Sequence, residues 1–390
     1  MARTKSKQTV KRKEIAALHC VLCALVFTFF SCKNGQVSNA TDGGDTLKYE
    51  YATLLTTVRH KHFTEVKIAD PWKAGQVLQH YCLVNREDSA SVKQFPQGTT
   101  VIYTPVNRCV VATSPLCQLF VWLQAQSAIS GVFDPMYIDI PSVKKLVDGK
   151  KIADCGSSMA PSIEKMLYAK PQAVFLSPYE SSNFKRVEQT FPVVYCAEYM
   201  ENTSLGRAEW MKFYGMLLGK ERVADSLFDV VKSNYAKIKA QCAATKTRPK
   251  VITERKTSGT WFCPGGQSTM ASMIADAHAN YTFAGDDHSG SLSLAPEKVV
   301  ATAHDADVWM FVYSGDKPLS RSFLLTEYHG YGEIKAFKQG NVYQCNNMTS
   351  SYFDEISFRP DWLLHDFMFI FHPETNASGA KLRYYERGAN

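Results

Sequence analysis

From residue 204 to residue 245 the chain carries one long helical pattern with no strand inside it, and no other stretch constrains the fold as much. Ser204 supplies a cap, and Trp210, Phe213, Tyr214, Leu217 and Leu218 follow at helical spacing. Gly219 interrupts. Val223, Leu227, Val230, Val231 and Ile238 then recur among charged residues at a helical period until Pro249. Strands and helices alternate on both sides of this stretch. A helix so placed is either one more packed helix or a rigid connector between two domains. A chain of 390 residues exceeds one ordinary core, which favours two. We therefore expect an N-terminal α/β lobe at 48–203, connecting helices at 204–245 and a C-terminal α/β lobe at 246–390.

The flanking patterns give the fold class. Residues 48–100 hold short β-like runs, Ala52 to Leu55, Phe63 to Ile68 and Gln76 to Leu83, broken by turn residues. Strands are then expected at Thr100 to Tyr103 and Arg108 to Ala112, a helix at Leu116 to Leu123, and a strand at Ile129 to Val132. Pro161 opens a helix with Ile163, Met166 and Leu167 on one face, followed by strands at Ala173 to Leu176 and Pro192 to Cys196. Beyond the connector, strand Lys250 to Glu254, helix 267–276, strands Asp307 to Val312 and Asn341 to Gln344, and a last helix Pro360 to Phe371 repeat the alternation. Strand-helix-strand succession points to parallel α/β layers rather than a barrel.

The N-terminus sets the compartment. Arg3, Lys5, Lys7, Lys11, Arg12 and Lys13 precede an apolar run from Ile15 to Phe30, and Ser31-Cys32 follows. A basic start, a short apolar core and a small residue before the cut describe an export signal over residues 1–31. Cys32 stands where a lipoprotein signal places its acylated cysteine, although Phe29 and Phe30 are larger than the usual residues there. The run is short of the roughly 20 residues that span a bilayer as a helix, which argues against an uncleaved anchor. Residues 32–47 read as a flexible tether to a membrane, with the body facing the periplasm.

Of 44 Lys and Arg, six lie in residues 1–31 with one acid, leaving 38 basic and 36 acidic residues beyond it. No basic face for nucleic acid is implied. Cys82, Cys109, Cys117, Cys155, Cys196, Cys242, Cys263 and Cys345 show no zinc-ligand spacing. Cys109 and Cys196 fall in apolar strands, where a buried free thiol is the ordinary state.

One echo links the two lobes. Pro161-Ser-Ile-Glu164-Lys165 precedes strand Ala173 to Leu176, and Pro296-Glu297-Lys298 precedes strand Asp307 to Val312 in the same relation. Further stretches are Asp154-Cys-Gly156, Lys170-Pro171-Gln172-Ala-Val, Leu205-Gly-Arg-Ala-Glu-Trp210, Trp261-Phe-Cys-Pro264-Gly265-Gly266 and Arg359-Pro360-Asp361-Trp-Leu-Leu. Together these resemble the class III periplasmic binding proteins, the substrate-binding lipoproteins of ABC importers for ferric siderophores, haem and cobalamin. The last three stretches resemble a branch found in Bacteroidota. Residues 48–100 lie outside the resemblance, and Gln172 stands where the family usually has Asp.

The resemblance implies two Rossmann-like lobes with parallel central sheets joined by a long helix. It also implies a monomer that passes a small-molecule ligand to membrane permease subunits. It places Glu164 and Glu297 at the two carboxylates that dock arginines of the permease, a use consistent with two fixed charges setting orientation. Each also complements a helix N-terminus, which is reason enough for an acid there.

Open α/β sheets bind ligands outside the carboxyl ends of their strands. That rule selects Thr113, Ser114, Pro115, Tyr137, Tyr179 and Glu180 on the first lobe. On the second it selects Trp261, Gly265, Gly266, Tyr313 and Tyr352, with Arg359 as a fork for a ligand carboxylate or a partner of Asp361. Tyr and Trp suit a large ring-bearing ligand, and Gly265-Gly266 permits close backbone approach or a tight turn. No G-x-S-x-G elbow or phosphate-binding loop is present, so no catalytic residue is assigned. His60-Lys-His62 alternates as a solvated strand face would. No His stands at Thr113 or Ser114, where a metal-binding relative is expected to have one, which argues against a bare metal ion as ligand. No resident cofactor is implied. A direct metal-ion receptor and a ligand-sensing lipoprotein of the same fold are the alternatives.

Overall fold

A computed structural model describes residues 44–92 and 94–388. The expected signal, Cys32 and most of the tether lie outside the described residues.

Two five-stranded sheets carry the lobes. In the first the spatial order is Val193–Tyr195, Ala173–Leu176, Cys109–Val111, Ile129–Val132 and Ala153–Asp154, every pair parallel. In the second it is Asn280–Tyr281, Lys250–Thr253, Val308–Tyr313 and Val342–Asn346 in parallel, closed by antiparallel Glu386–Arg387. The central strands are short, almost wholly apolar and buried, as strands covered by helices on both faces must be.

The connector is three helices, Ser204–Glu209, Met211–Leu218 and Glu221–Ala243. Gly219 ends the second with φ of 63°, a left-handed cap that any side chain would strain. The third helix buries Ala224, Phe228, Val231, Tyr235, Ile238 and Cys242. Their alternating spacing of four and three keeps one stripe inward, and each large side chain buried there contributes about 1.5–3 kcal/mol. Val230, expected on that stripe, is exposed. The same helix is tied to the second lobe, where the Tyr235 hydroxyl donates to Asp276 at 2.8 Å and Lys239 pairs with Asp276 at 2.6 Å. Helix Pro360–Phe371 returns to pack along it.

Residues 45–104 build a third sheet. Asp45–Leu47, Leu55–Arg59, Thr64–Ala69 and Val77–Asn85 run antiparallel in succession, and Thr100–Thr104 adds in parallel. The run from Ala52 to Leu55, expected as a strand, is instead largely a bend held by two buried carboxylates. Glu209 accepts the backbone N–H groups of Glu50, Tyr51 and Ala52 at 2.7–3.1 Å, and Glu201 accepts those of Thr53 and Leu54 at 2.9–3.0 Å. Trp210 Nε1 also donates to Glu201, at 2.9 Å. Charge-assisted bonds of this kind are about twice as strong as neutral ones, and they fasten the added sheet to the connector. His60-Lys-His62 forms the turn between two of its strands. The His60 side chain is mostly covered and stacks on Phe63, while His62 faces Asp88 at 3.6 Å.

All eight described cysteines are free and buried. Burial pushes their thiols up, Cys117 to about 12, so they pack as small apolar groups. Among the described residues no helix is long and apolar enough to cross a membrane.

Candidate ligand-binding cleft

Parallel strands leave all their carboxyl ends on one side of a sheet, and loops leaving those ends form the site. In the first lobe, Cys109–Val111 leads through Thr113 into helix Ser114–Trp122, and Ile129–Val132 leads to Pro135–Tyr137. Ala173–Leu176 leads to Tyr179, and Val193–Tyr195 to Glu198–Met200. In the second lobe, Lys250–Thr253 ends at Glu254, and Val342–Asn346 leads to Met348 and helix Tyr352–Glu355.

The two edges meet. Helix Ser114–Trp122 packs on Tyr352–Glu355, which brings the Ser114 hydroxyl near Asp354. Burial pushes the Asp354 carboxyl up, and the nearby Ser114 hydroxyl opposes the shift. Thr113, Ser114 and Pro115 are half-buried at this junction, and Thr113 Oγ1 is sealed from solvent without a partner. Large side chains project from the same loops: Met136, Tyr137, Tyr179 and Tyr199 on the first lobe, Met348 and Phe353 on the second. Tyr137 is 75% exposed and Met348 60%, which is unusual for such apolar area unless something covers it. Glu180 is also exposed.

Three second-lobe expectations require correction, and Arg359 takes the second of its two expected roles. Trp261 is fully buried, donating Nε1 to the Thr253 carbonyl at 3.1 Å and packed on Trp309 and Tyr331. Strand parity explains it: along Thr260–Pro264 the neighbours Trp261 and Cys263 point inward and Phe262 points out. Tyr313 and Tyr352 are each 3% exposed, the first against Phe311 and the second against Phe353, Tyr384 and Tyr385. Arg359 spends its fork on Asp361 at 2.9 and 2.7 Å and stacks 3.6 Å over Trp362. Gly265 and Gly266 do permit a close approach, but the approaching backbone is the chain's own. A Cβ at Gly265 would strike the His288 carbonyl, and one at Gly266 the Asp286 carbonyl.

Glu254, which the sequence reading did not select, closes the second edge. It takes a left-handed φ of 61° at the end of its strand, and burial raises its carboxyl to about 7. A charged residue ending an apolar strand is the signal that marks it. Among the described residues no three His, Cys, Asp or Glu side chains are grouped to hold a metal ion.

Glu164 and Glu297 both stand exposed in the first turn of a helix, one on each lobe. The helix after Pro161 begins at Ile163 behind a Ser162 cap, whereas Pro296 is itself the first helical residue. Glu164 is held below the usual carboxylate range by its own backbone N–H and then by the Ser162 hydroxyl. Glu297 lies beside an open cavity of about 600 Å³ lined by Lys256, Gly259, Thr260 and Tyr328.

A family model described as periplasmic binding protein matches residues 119–349. An uncharacterized lipoprotein of Methanocaldococcus jannaschii is 29% identical over 341 residues, covering 81% of this chain and 78% of that one. Among solved structures, a periplasmic heme binding protein of Pseudomonas aeruginosa aligns with a TM-score of 0.57 at 16% identity, over 73% of this chain and 99% of that one. An ABC-type Fe3+-hydroxamate transport protein of Saccharomonospora viridis aligns at 0.54 with 14% identity, over 69% and 94%. At these identities the structural likeness is one of fold.

Proposed function

Since the chain belongs to the periplasmic binding protein family, whose members bind solutes rather than transform them, we propose that it is the substrate-binding component of an ABC importer. Its cargo is an iron complex, a siderophore or haem, or cobalamin, held between the two carboxyl edges. The observation that carries this reading is the packing of helix Ser114–Trp122 of one lobe on Tyr352–Glu355 of the other, with Met136, Tyr137, Tyr179, Met348 and Phe353 exposed on the same edges. Flat aromatic and adaptable thioether side chains suit a bulky, ring-bearing ligand better than a small ion. A lipid on Cys32 holds the protein at the membrane, and Glu164 and Glu297 present one carboxylate per lobe to the permease.

The test is transport. With Glu164→Lys and Glu297→Lys together, uptake of the cargo falls to background while ligand binding and thermal stability stay at wild-type values. Undiminished uptake by the double variant removes docking through these residues. A chain that binds ligand but supports no uptake in any form is a sensor of the same fold.

A further inference from the structure

We infer that Arg207 is an anion-binding group at the floor of the cleft, and that the cargo presents a negative charge there. The assignment rests on the reading of the cleft as the cargo site and narrows it to anionic ligands.

Four arginines are half-buried among the described residues. Arg255 donates to Glu327, Arg321 to the Phe337 carbonyl at 2.6 Å, and Arg359 to Asp361. Arg207 alone has no acceptor. Among the described residues its guanidinium makes no hydrogen bond or ion pair, and its Nε is wholly sealed from solvent. The side chain is half-buried, and an Nε sealed without an acceptor in a charged group that forms no ion pair carries a desolvation cost.

Its position indicates the purpose. Arg207 lies on helix Ser204–Glu209, where the connector begins; that helix packs on Glu198–Met200 of the first lobe and on helix Thr269–Asp276 of the second, and the Arg207 charge acts on Glu198, Tyr214 and Tyr352. Glu198 follows the last strand of the first lobe, and Tyr352 follows strand Val342–Asn346 of the second. The cation therefore stands between the two carboxyl edges. Glu198 does not neutralise it by contact, for that carboxyl is engaged by the Tyr214 hydroxyl at 2.7 Å, and no ion pair joins it to Arg207. Burial pulls the guanidinium below its ordinary range, and the Glu198 charge only partly opposes that shift. The side chain keeps partial exposure, so a ligand can reach it. A carboxylate or catecholate oxygen fits a free arginine fork, which neutral amides and cationic chelates do not.

The experiment compares the full-length exported protein with Arg207→Met and Arg207→Gln, using thermal unfolding and ligand titration. Without ligand, Arg207→Met raises Tm by a few degrees, because a half-buried charge with no ion pair is replaced by an apolar side chain of similar length. Citrate at constant ionic strength stabilises the wild type and neither variant. In the titrations haemin, ferric citrate and a ferric tris-catecholate are set against a cationic ferric hydroxamate and cyanocobalamin. Anionic compounds bind the wild type and lose about 30-fold or more in both variants, a common size for a lost buried charge partner. A fall in Tm on Arg207→Met shows a structural residue and overturns the inference. Tight binding of an anionic compound that both variants retain also overturns it, while leaving the importer reading intact. Citrate stabilisation confined to the wild type, with no chelate bound, upholds the anion site and removes the proposed cargo.

Discussion

The two lobes each carry a five-stranded sheet, ordered differently, and use their aromatic residues in opposite ways. In the first lobe Tyr137, Tyr179 and Tyr199 stand out from the loops beyond the carboxyl ends, with Met136 beside them. In the second, Trp261, Trp309, Tyr331, Phe311 and Tyr313 close on one another as a core, and the cleft side is left to Glu254, Met348 and Phe353. One lobe offers an adaptable apolar surface, and the other a stiffer wall with an acid at its edge. A residue type that suits a ring-bearing ligand is therefore no guide to a binding role until its side of the strand is known.

The largest effect that tests this contrast is on Trp261. Trp261→Ala leaves a cavity in a fully buried aromatic cluster and costs about 3–5 kcal/mol of stability in chemical denaturation. A cost under 1 kcal/mol would return Trp261 to the cleft.

Next is Glu254, whose carboxyl rises from 4.5 to about 7 on burial. Across that window the folded protein holds a proton that the unfolded chain has released, so stability falls as pH rises and the penalty is complete above about 7. Glu254→Gln removes the penalty, gaining up to about 3 kcal/mol at pH 8 and nothing below pH 4. Equal stability curves for the two proteins from pH 4 to 8 would show that Glu254 is not enclosed.

The smallest change in stability is expected on the first lobe. Tyr137→Ala and Met136→Ala, both at exposed positions, shift unfolding by no more than about 0.5 kcal/mol, yet each weakens cargo binding about tenfold. Unchanged affinity in both variants would move the ligand off this surface.

Much of the framework was legible in the sequence because period and punctuation specify it. Strand Ile129–Val132 and helix Pro360–Phe371 fall where their residues place them, and the connector is visible as a helical period bounded by Ser204 and Pro249. What escaped depends on neighbours distant in sequence. Ala52 has a strand's surroundings in sequence, but Glu209 draws its backbone N–H into a bend from 157 positions away. The inward stripe of Glu221–Ala243 is turned by one residue, so that Val231 is buried and Val230 is not. Arg359 takes Asp361, one of the two partners its sequence offers, whereas only the fold shows that nothing is bonded to Arg207. The glycine pair was correctly suited to close approach, while the carbonyls that approach it come from residues 283–290.

The most direct test of the cleft is thermal unfolding of the purified protein against haemin, cobalamin and several ferric chelates, each well above a micromolar Kd. A cargo present at about 100 times its Kd stabilises the fold by roughly 2.7 kcal/mol, a shift of several degrees that Tyr137→Ala reduces. That pairing of shift and loss is the predicted result. No stabilisation by any of them, or a shift that Tyr137→Ala and Arg207→Gln both leave untouched, would contradict a cargo site between the lobes.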